Sequence, residues 1–328
     1  MKRYLQILGI FTIALMFTAI TVEAKGKKYG LFVGINAYPK AIGALAGCEN
    51  DAQEMQKVLA ARYGFVKTDT TVLLSAKATR QAIIEEIKRY SGKVGAGDVF
   101  VFHYSGHGSL FPDSESEELD ETEEIFFEDS DTGEIIYPKD KYDATLVPVD
   151  AMDSTSGKPW GNQILDDELY GLFSEFTKKG AQVVFISDSC FSGGISRAQA
   201  QKVQKRFVPA LRIFGAKSWD DLKLKKPATQ RNVTDRPMNS LYIVLTAANA
   251  NETALDGAPK ALQMGLFTEN LVGELKKTKS NKLTYSVLMN NVSKSVSALA
   301  KTKFQHDQNP QLEKRFGKVD TVIFSAPK

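Results

Sequence analysis

Four runs of this chain are apolar on both faces instead of alternating: "YGLFVGIN" (29–36), "GDVFVFHY" (97–104), "AQVVFIS" (181–187) and "SLYIVLTAA" (240–248). A strand with no polar face must be covered on both sides. Helical patterns fall between these runs. In "CENDAQEMQKVLAARYGF", Ala52, Met55, Val58, Leu59 and Arg62 share a face. "ATRQAIIEEIKRYSG" offers Thr79 as a cap and stops near Gly92. "ILDDELYGLFSEF", "GLFTENLVGELKK" and "LTYSVLMNNVSKSVSALAKT" also read as helices, and "DTTVLL", "ATLVPVD" and the closing "KVDTVIF" as extended segments. Apolar strands alternating with helices predict an α/β fold. Its central sheet is mostly parallel and is covered by helices on both faces, an α/β/α sandwich. Ligands in such folds bind beyond the carboxyl ends of the strands.

With 328 residues and 43% hydrophobic content, the chain can build its own core. The net charge of +3 gives no reason to expect a nucleic-acid partner. Lys2 and Arg3 precede an uncharged apolar run from Leu5 to Val22, and "VEA" ends at Ala24. That pattern predicts a cleaved export signal over 1–24, a periplasmic or secreted protein, and a folded domain from Lys25; a retained membrane anchor is the alternative. In an oxidising compartment Cys48 and Cys190 could pair, but a core of this size does not need the bridge.

Two stretches read as surface excursions. Residues 111–138 are rich in Asp and Glu with no Lys or Arg, and 202–236 are rich in Lys and Arg. The second divides the domain into a larger part (25–201) and a smaller part (237–328).

The chemistry-bearing residues cluster at strand ends. His107, in "YSGHGS", and Cys190, in "SDSCFSGG", each lie just past a buried strand. A thiol attacking a carbonyl needs a proton-transfer partner and donors for the oxyanion. His107 can serve as the first, and the backbone N–H groups of Gly108 and Cys190 as the second. The turn is not an α/β-hydrolase elbow, because Asp188 and Ser192 stand where that elbow has glycines. Two cysteines and three scattered histidines lack zinc-ligand spacing.

"HYSGHG" followed by "DSCFSGG" resembles the caspase-like cysteine peptidases, most closely the metacaspase branch, although Phe191 stands where the family usually has His. Gingipain-like and legumain-like peptidases share the general layout. "LAGCENDAQEM", "YDATLVPVD", "ILDDEL", "LTAANANETALDG", "GLFT" and "NPQLE" extend the resemblance to the C-terminus. It implies a caspase-like sandwich with Cys190 as nucleophile, His107 as proton donor to the leaving amine, and Gly108 and Cys190 as the oxyanion site. It also implies a primary specificity pocket lined by Cys48, Asp51, Ser105 and Asp188. No cofactor is required by that chemistry. The family often binds calcium at positions matching Asp143, Asp166 and Asp167, while Arg197 replaces a further acid here. Asp51 and Asp188 beside the nucleophile predict peptide or protein substrates with Arg or Lys before the cleaved bond. The basic stretch 202–236 is then a candidate for self-cleavage. The alternatives are a caspase-fold binding or scaffold protein without turnover and a same-fold peptidase of other specificity. His306, in a polar stretch, is expected to be exposed and idle.

Overall fold

The computed structural model describes residues 26–112, 127–128, 135–136, 142–152, 161–190, 204–215, 241–249, 252–257, 263–277, 282–313 and 320–325. The export-signal segment, Arg197 and most of both excursions lie outside them. Among the described residues no helix is long and apolar enough to cross a membrane.

The strands are β1 (Lys28–Gly34), β2 (Thr70–Leu74), β3 (Val99–Ser105), β4 (Gly108–Pro112), β5 (Phe127–Glu128), β6 (Ile135–Ile136), β7 (Tyr142–Leu146), β8 (Ile164–Leu165), β9 (Gln182–Asp188), β10 (Tyr242–Thr246) and β11 (Gln311–Glu313). The helices are α1 (Cys48–Tyr63), α2 (Arg80–Ser91), α3 (Asp166–Thr177), α4 (Ala210–Phe214), α5 (Leu266–Lys277) and α6 (Tyr285–Phe304). Six strands form the central sheet in the order β11-β10-β9-β3-β1-β2. All its pairings are parallel except β10 with β11. β4, β7 and β8 form a small antiparallel sheet, and β5 pairs with β6.

Strand periodicity explains the layers. Successive side chains point to opposite faces. Phe32, Val101, Val184, Ile186 and Leu245 pack under α1, α5 and α6. Leu31, Val33, Phe100, Phe102, Val183 and Phe185 pack under α2 and α3. Because both faces are covered, neither can be polar, and the mostly parallel sandwich expected from the sequence follows. Thr79 caps α2 as expected, its Oγ1 accepting from the Ala82 N–H at 3.2 Å.

Two expectations fail. "KVDTVIF" does not close the sheet: its described residues form a turn with a single bridge, Thr284 to Val322, and the antiparallel edge is β11. The burial of Ile323 and Phe324 is what made the segment resemble a strand. The basic stretch is not all surface either. Arg206, Val208 and Ile213 are buried, because 204–208 bridge Leu255 and Gly108 as an added extended segment and α4 packs on the core.

Candidate active site

β3 and β9 are adjacent and parallel, with Ser105 opposite Asp188. His107 and Cys190 each follow two residues later, so the pairing carries both motifs to the same sheet edge. Gly108 sits hard against the cysteine loop. A Cβ there would lie 2.0 Å from the Cys190 carbonyl oxygen, so only glycine admits this approach.

Both groups are buried and uncharged at neutral pH. Burial pushes the Cys190 thiol up to about 12. Burial also pushes His107 down to about 4, against the favourable Gly43 carbonyl. His107 Nε2 lies 2.9 Å from that carbonyl, which can only accept, so Nε2 carries the hydrogen. Nδ1 is then the lone-pair nitrogen, and it has no hydrogen-bond partner among the described residues. Tyr38 packs against the imidazole with ring centroids 4.8 Å apart, and its hydroxyl accepts from the His107 N–H at 3.0 Å. The Ala254 N–H donates to Cys190 Sγ.

Arg206 fills the pocket beside the cysteine. Its side chain is fully buried. Nη2 bonds Asp51 Oδ2 at 2.6 Å and Asp256 Oδ1 at 2.9 Å, while Nη1 lies 2.8 Å from Asp188 Oδ1. That last contact is a charge contact rather than an aligned hydrogen bond; Nη1 donates instead to Ser105 Oγ at 2.9 Å and to the Asp188 carbonyl at 3.0 Å. Ser105 in turn donates to Asp51 Oδ2 at 2.7 Å. Three carboxylates so close together need this cation. Burial raises Asp51 to about 7 despite the guanidinium. Burial works to raise Asp256 too, but Arg206 and the Ala46 N–H outweigh it and hold that carboxyl below its ordinary value. Burial likewise disfavours the Arg206 charge, yet Asp188, Cys48, Asp51 and Asp256 keep the guanidinium well above its usual range. Gly265 forms the flat wall: a Cβ there would stand 2.5 Å from Nη2 and 2.6 Å from both Cζ and Nη1.

The backbone of the same arginine is placed equally closely. The Arg206 carbonyl oxygen accepts from the Gly108 N–H at 2.9 Å and the Cys190 N–H at 3.3 Å. The Arg206 N–H donates to the Ala254 carbonyl at 3.1 Å, and the Asp256 N–H donates to the Gln204 carbonyl at 2.9 Å. Lys205 thus bridges Leu255 in antiparallel fashion, and Phe207 bridges Gly108 in parallel fashion. The segment 204–208 lies through the cleft as an added strand. Its arginine side chain is in a triacid pocket, and its carbonyl oxygen rests on two N–H donors. The arrangement can polarise that carbonyl beside a thiol and a neutral imidazole.

The structure therefore brings Cys48, Asp51, Ser105, Gly108, His107, Asp188 and Cys190 together. Cys48 and Cys190 are both buried free thiols, not a disulfide, and Cys48 Sγ sits 3.8 Å from Asp256 Oδ1. In the sheet, β3 stands between β1, the strand that precedes Asp51, and the cysteine strand β9, and it contributes Ser105. Sequence reasoning missed Asp256, although it lies inside the resembling "LTAANANETALDG". It also missed Arg206, one of ten Lys and Arg in 202–236 with nothing local to distinguish it. Thr268 was missed as well; its N–H and hydroxyl both donate to Asp188 Oδ2, at 3.0 and 2.6 Å. The expectation for His306 is corrected. It is half-buried and anchors Thr253, with Nε2 2.7 Å from the Thr253 carbonyl, and so braces the strap that carries Ala254 and Asp256. Asp143 on β7 and Asp166 and Asp167 in the first turn of α3 converge separately, each offering an oxygen within 4.8 Å of the others.

A parallel sandwich with this strand-end site defines a caspase-type architecture, and comparison with known proteins agrees. The profile of the caspase domain family matches residues 27–319, and the chain belongs to that family. Metacaspase-7 of Arabidopsis thaliana is 35% identical over 177 residues, covering 51% of this chain and 35% of the relative. Metacaspase-1 of Schizosaccharomyces pombe is 30% identical over 176 residues, 52% of this chain and 35% of the relative. The chain thus spans about a third of the length of these curated relatives. A crystal structure of a protein from Geobacter sulfurreducens shares the fold, with TM-score 0.60 and 23% identity over 92% of this chain and 100% of that one.

Proposed function

We propose that the protein is a cysteine endopeptidase that cuts after Arg or Lys through Cys190 and His107, and that it cuts its own chain between Arg206 and Phe207. The observation carrying this reading is the pose of Arg206, whose side chain meets Asp51, Asp188 and Asp256 while its carbonyl oxygen meets the Gly108 and Cys190 N–H groups. Metacaspase relatives support the reaction class.

In the mechanism, Sγ of Cys190 attacks the arginine carbonyl carbon. The two N–H donors take up the charge developing on its oxygen. With thiol and imidazole both neutral, His107 Nδ1 takes the thiol proton as the S–C bond forms and passes it to the departing amine as the C–N bond breaks. The Gly43 carbonyl holds the imidazole in the tautomer that leaves Nδ1 free to do so. Water then hydrolyses the thioester. On incubation, the wild-type protein is expected to yield a fragment beginning at Phe207, read by N-terminal sequencing. Cys190→Ala and Arg206→Gln are expected to leave that bond whole; the same cut in Cys190→Ala would assign it to a contaminant. Export is part of the reading, supported by Lys2, Arg3 and the apolar run to Val22. The same sequencing should then find Lys25 as the mature start when the protein is recovered from its native host.

Calcium is proposed as an activator. Three converging carboxylates form an all-oxygen set suited to a hard cation. Asp143 sits opposite Phe111 in the β4–β7 pairing, and β4 begins at Gly108, beside the scissile carbonyl. A cation drawing β7 towards α3 would therefore act on the strand that holds the cleft. Millimolar calcium is expected to raise peptide hydrolysis, and Asp166→Ala combined with Asp167→Ala to remove that response. Activity indifferent to chelator and to added calcium would contradict the proposal.

A further inference from the structure

We propose that the enzyme re-forms the Arg206–Phe207 bond as well as breaking it, acting on its own linker as a reversible acyl transferase. The inference rests on the reading of that bond as the self-cleavage site, and a separate set of observations carries it: the downstream side of the cut is part of the fold.

Val208 is 1% exposed and Ile213 is fully buried, both within the core layer that includes Ile42 and Leu45. The Val208 N–H donates to the Gly108 carbonyl at 3.0 Å. Arg212 Nε donates to the Ala41 carbonyl at 2.7 Å, and Phe214 meets Phe111 edge-on at 6.2 Å. None of these contacts needs the Arg206–Phe207 bond. After the cut, the new amine of Phe207 therefore stays where the peptide nitrogen was, against Gly108. On the other side, Arg206 remains in its pocket of three carboxylates, now as a thioester on Cys190.

In the forward step the Sγ–C bond forms, the C–N bond breaks, and the thiol proton ends on the Phe207 nitrogen by way of His107. In the return step the Phe207 amine attacks the thioester carbonyl, the C–N bond re-forms, and the proton goes back to Sγ. No water is consumed and nothing is oxidised or reduced. Water must approach the thioester through the space that the amine holds. An amine fixed in line has an effective concentration on the order of 10^5 M or more, which overwhelms that of water. Net cleavage then requires the downstream segment to lift away.

The test times loss of intact full-length wild-type chain, with calcium present, with and without hydroxylamine as a small competing nucleophile. If the thioester mostly returns, hydroxylamine speeds loss of the intact chain about tenfold and leaves an N-terminal fragment ending in an Arg206 hydroxamate. A hydroxamate formed at an unchanged rate of chain loss overturns resealing while leaving self-cleavage intact. Absence of any Phe207 terminus under both conditions fells the self-cleavage reading, and this proposal with it. If fragments form without hydroxamate, Arg212→Ala and Phe214→Ala decide. Each loosens a downstream anchor and should accelerate net cleavage several-fold by freeing the amine. An equal or slower rate means these contacts only bind the segment, and resealing is wrong.

Discussion

Cys190→Ala and His107→Ala are each expected to lower hydrolysis of arginyl peptides by about 10^4-fold or more, the scale seen when a nucleophile or its proton-transfer partner is removed. The two losses should not add, because in the proposed mechanism the thiol and imidazole act as one unit in the same step. Cys190 is almost fully buried but small, so its truncation removes little packing. Thermal unfolding of the Cys190 variant should stay close to that of wild type, which separates lost chemistry from lost structure. Steady-state kinetics on a fluorogenic Arg peptide reads the effect. Full activity in Cys190→Ala would overturn the assignment of Cys190 as nucleophile.

The second large effect is in the specificity pocket. Peptides with Arg before the scissile bond should exceed matched Asp peptides by at least about 10^3-fold in kcat/KM, since an acid entering among three carboxylates adds a like-charge cost of several kcal/mol. Asp188→Ala removes one carboxylate of the set. It should cost Arg peptides about 2–5 kcal/mol, or about 30- to 5000-fold. Gly265→Ala tests the shape of the pocket while keeping its charge. The added methyl group would overlap the guanidinium plane at 2.5–2.6 Å, and the wall behind it is backbone anchored by the Gly265 N–H to Asp51 Oδ1 at 2.9 Å. Arg peptides should lose about 100-fold, the upper end of an overpacking cost. Lys peptides, whose single ammonium needs no planar slot, should lose much less. Efficient cleavage after Asp, or equal losses for Arg and Lys in Gly265→Ala, would contradict this account of the pocket.

These expectations combine what was legible in the chain with what was not. The burial of β1, β3, β9 and β10 on both faces is a local property of their composition, and it announces a covered parallel sheet. The positions of His107 and Cys190 just beyond two such strands follow from the same reading, because parallel strands deliver their carboxyl ends to one edge. Asp256 was less legible. It lies in the irregular strap 252–257, whose path depends on His306 and Gln308 far along the chain. The strand misread at the C-terminus failed for a related reason. Short apolar runs can be buried without being paired, and pairing is decided by which edge is open.

The sequence by itself determined the alternation of strands and helices, the apolar faces, and the residue types able to carry thiol chemistry beside acids. Those signals are local: each is encoded within one strand, one turn or one helical period. Only the tertiary structure decided that Asp51, Asp188 and Asp256, from three separate parts of the chain, share one pocket. It alone singled out Arg206 from the other cations of its stretch. Three buried carboxylates have a high electrostatic cost until a guanidinium with several fixed donors joins them. Which guanidinium can do so is set by the distance the folded chain allows between α4, docked on the core, and the strand end at Cys190.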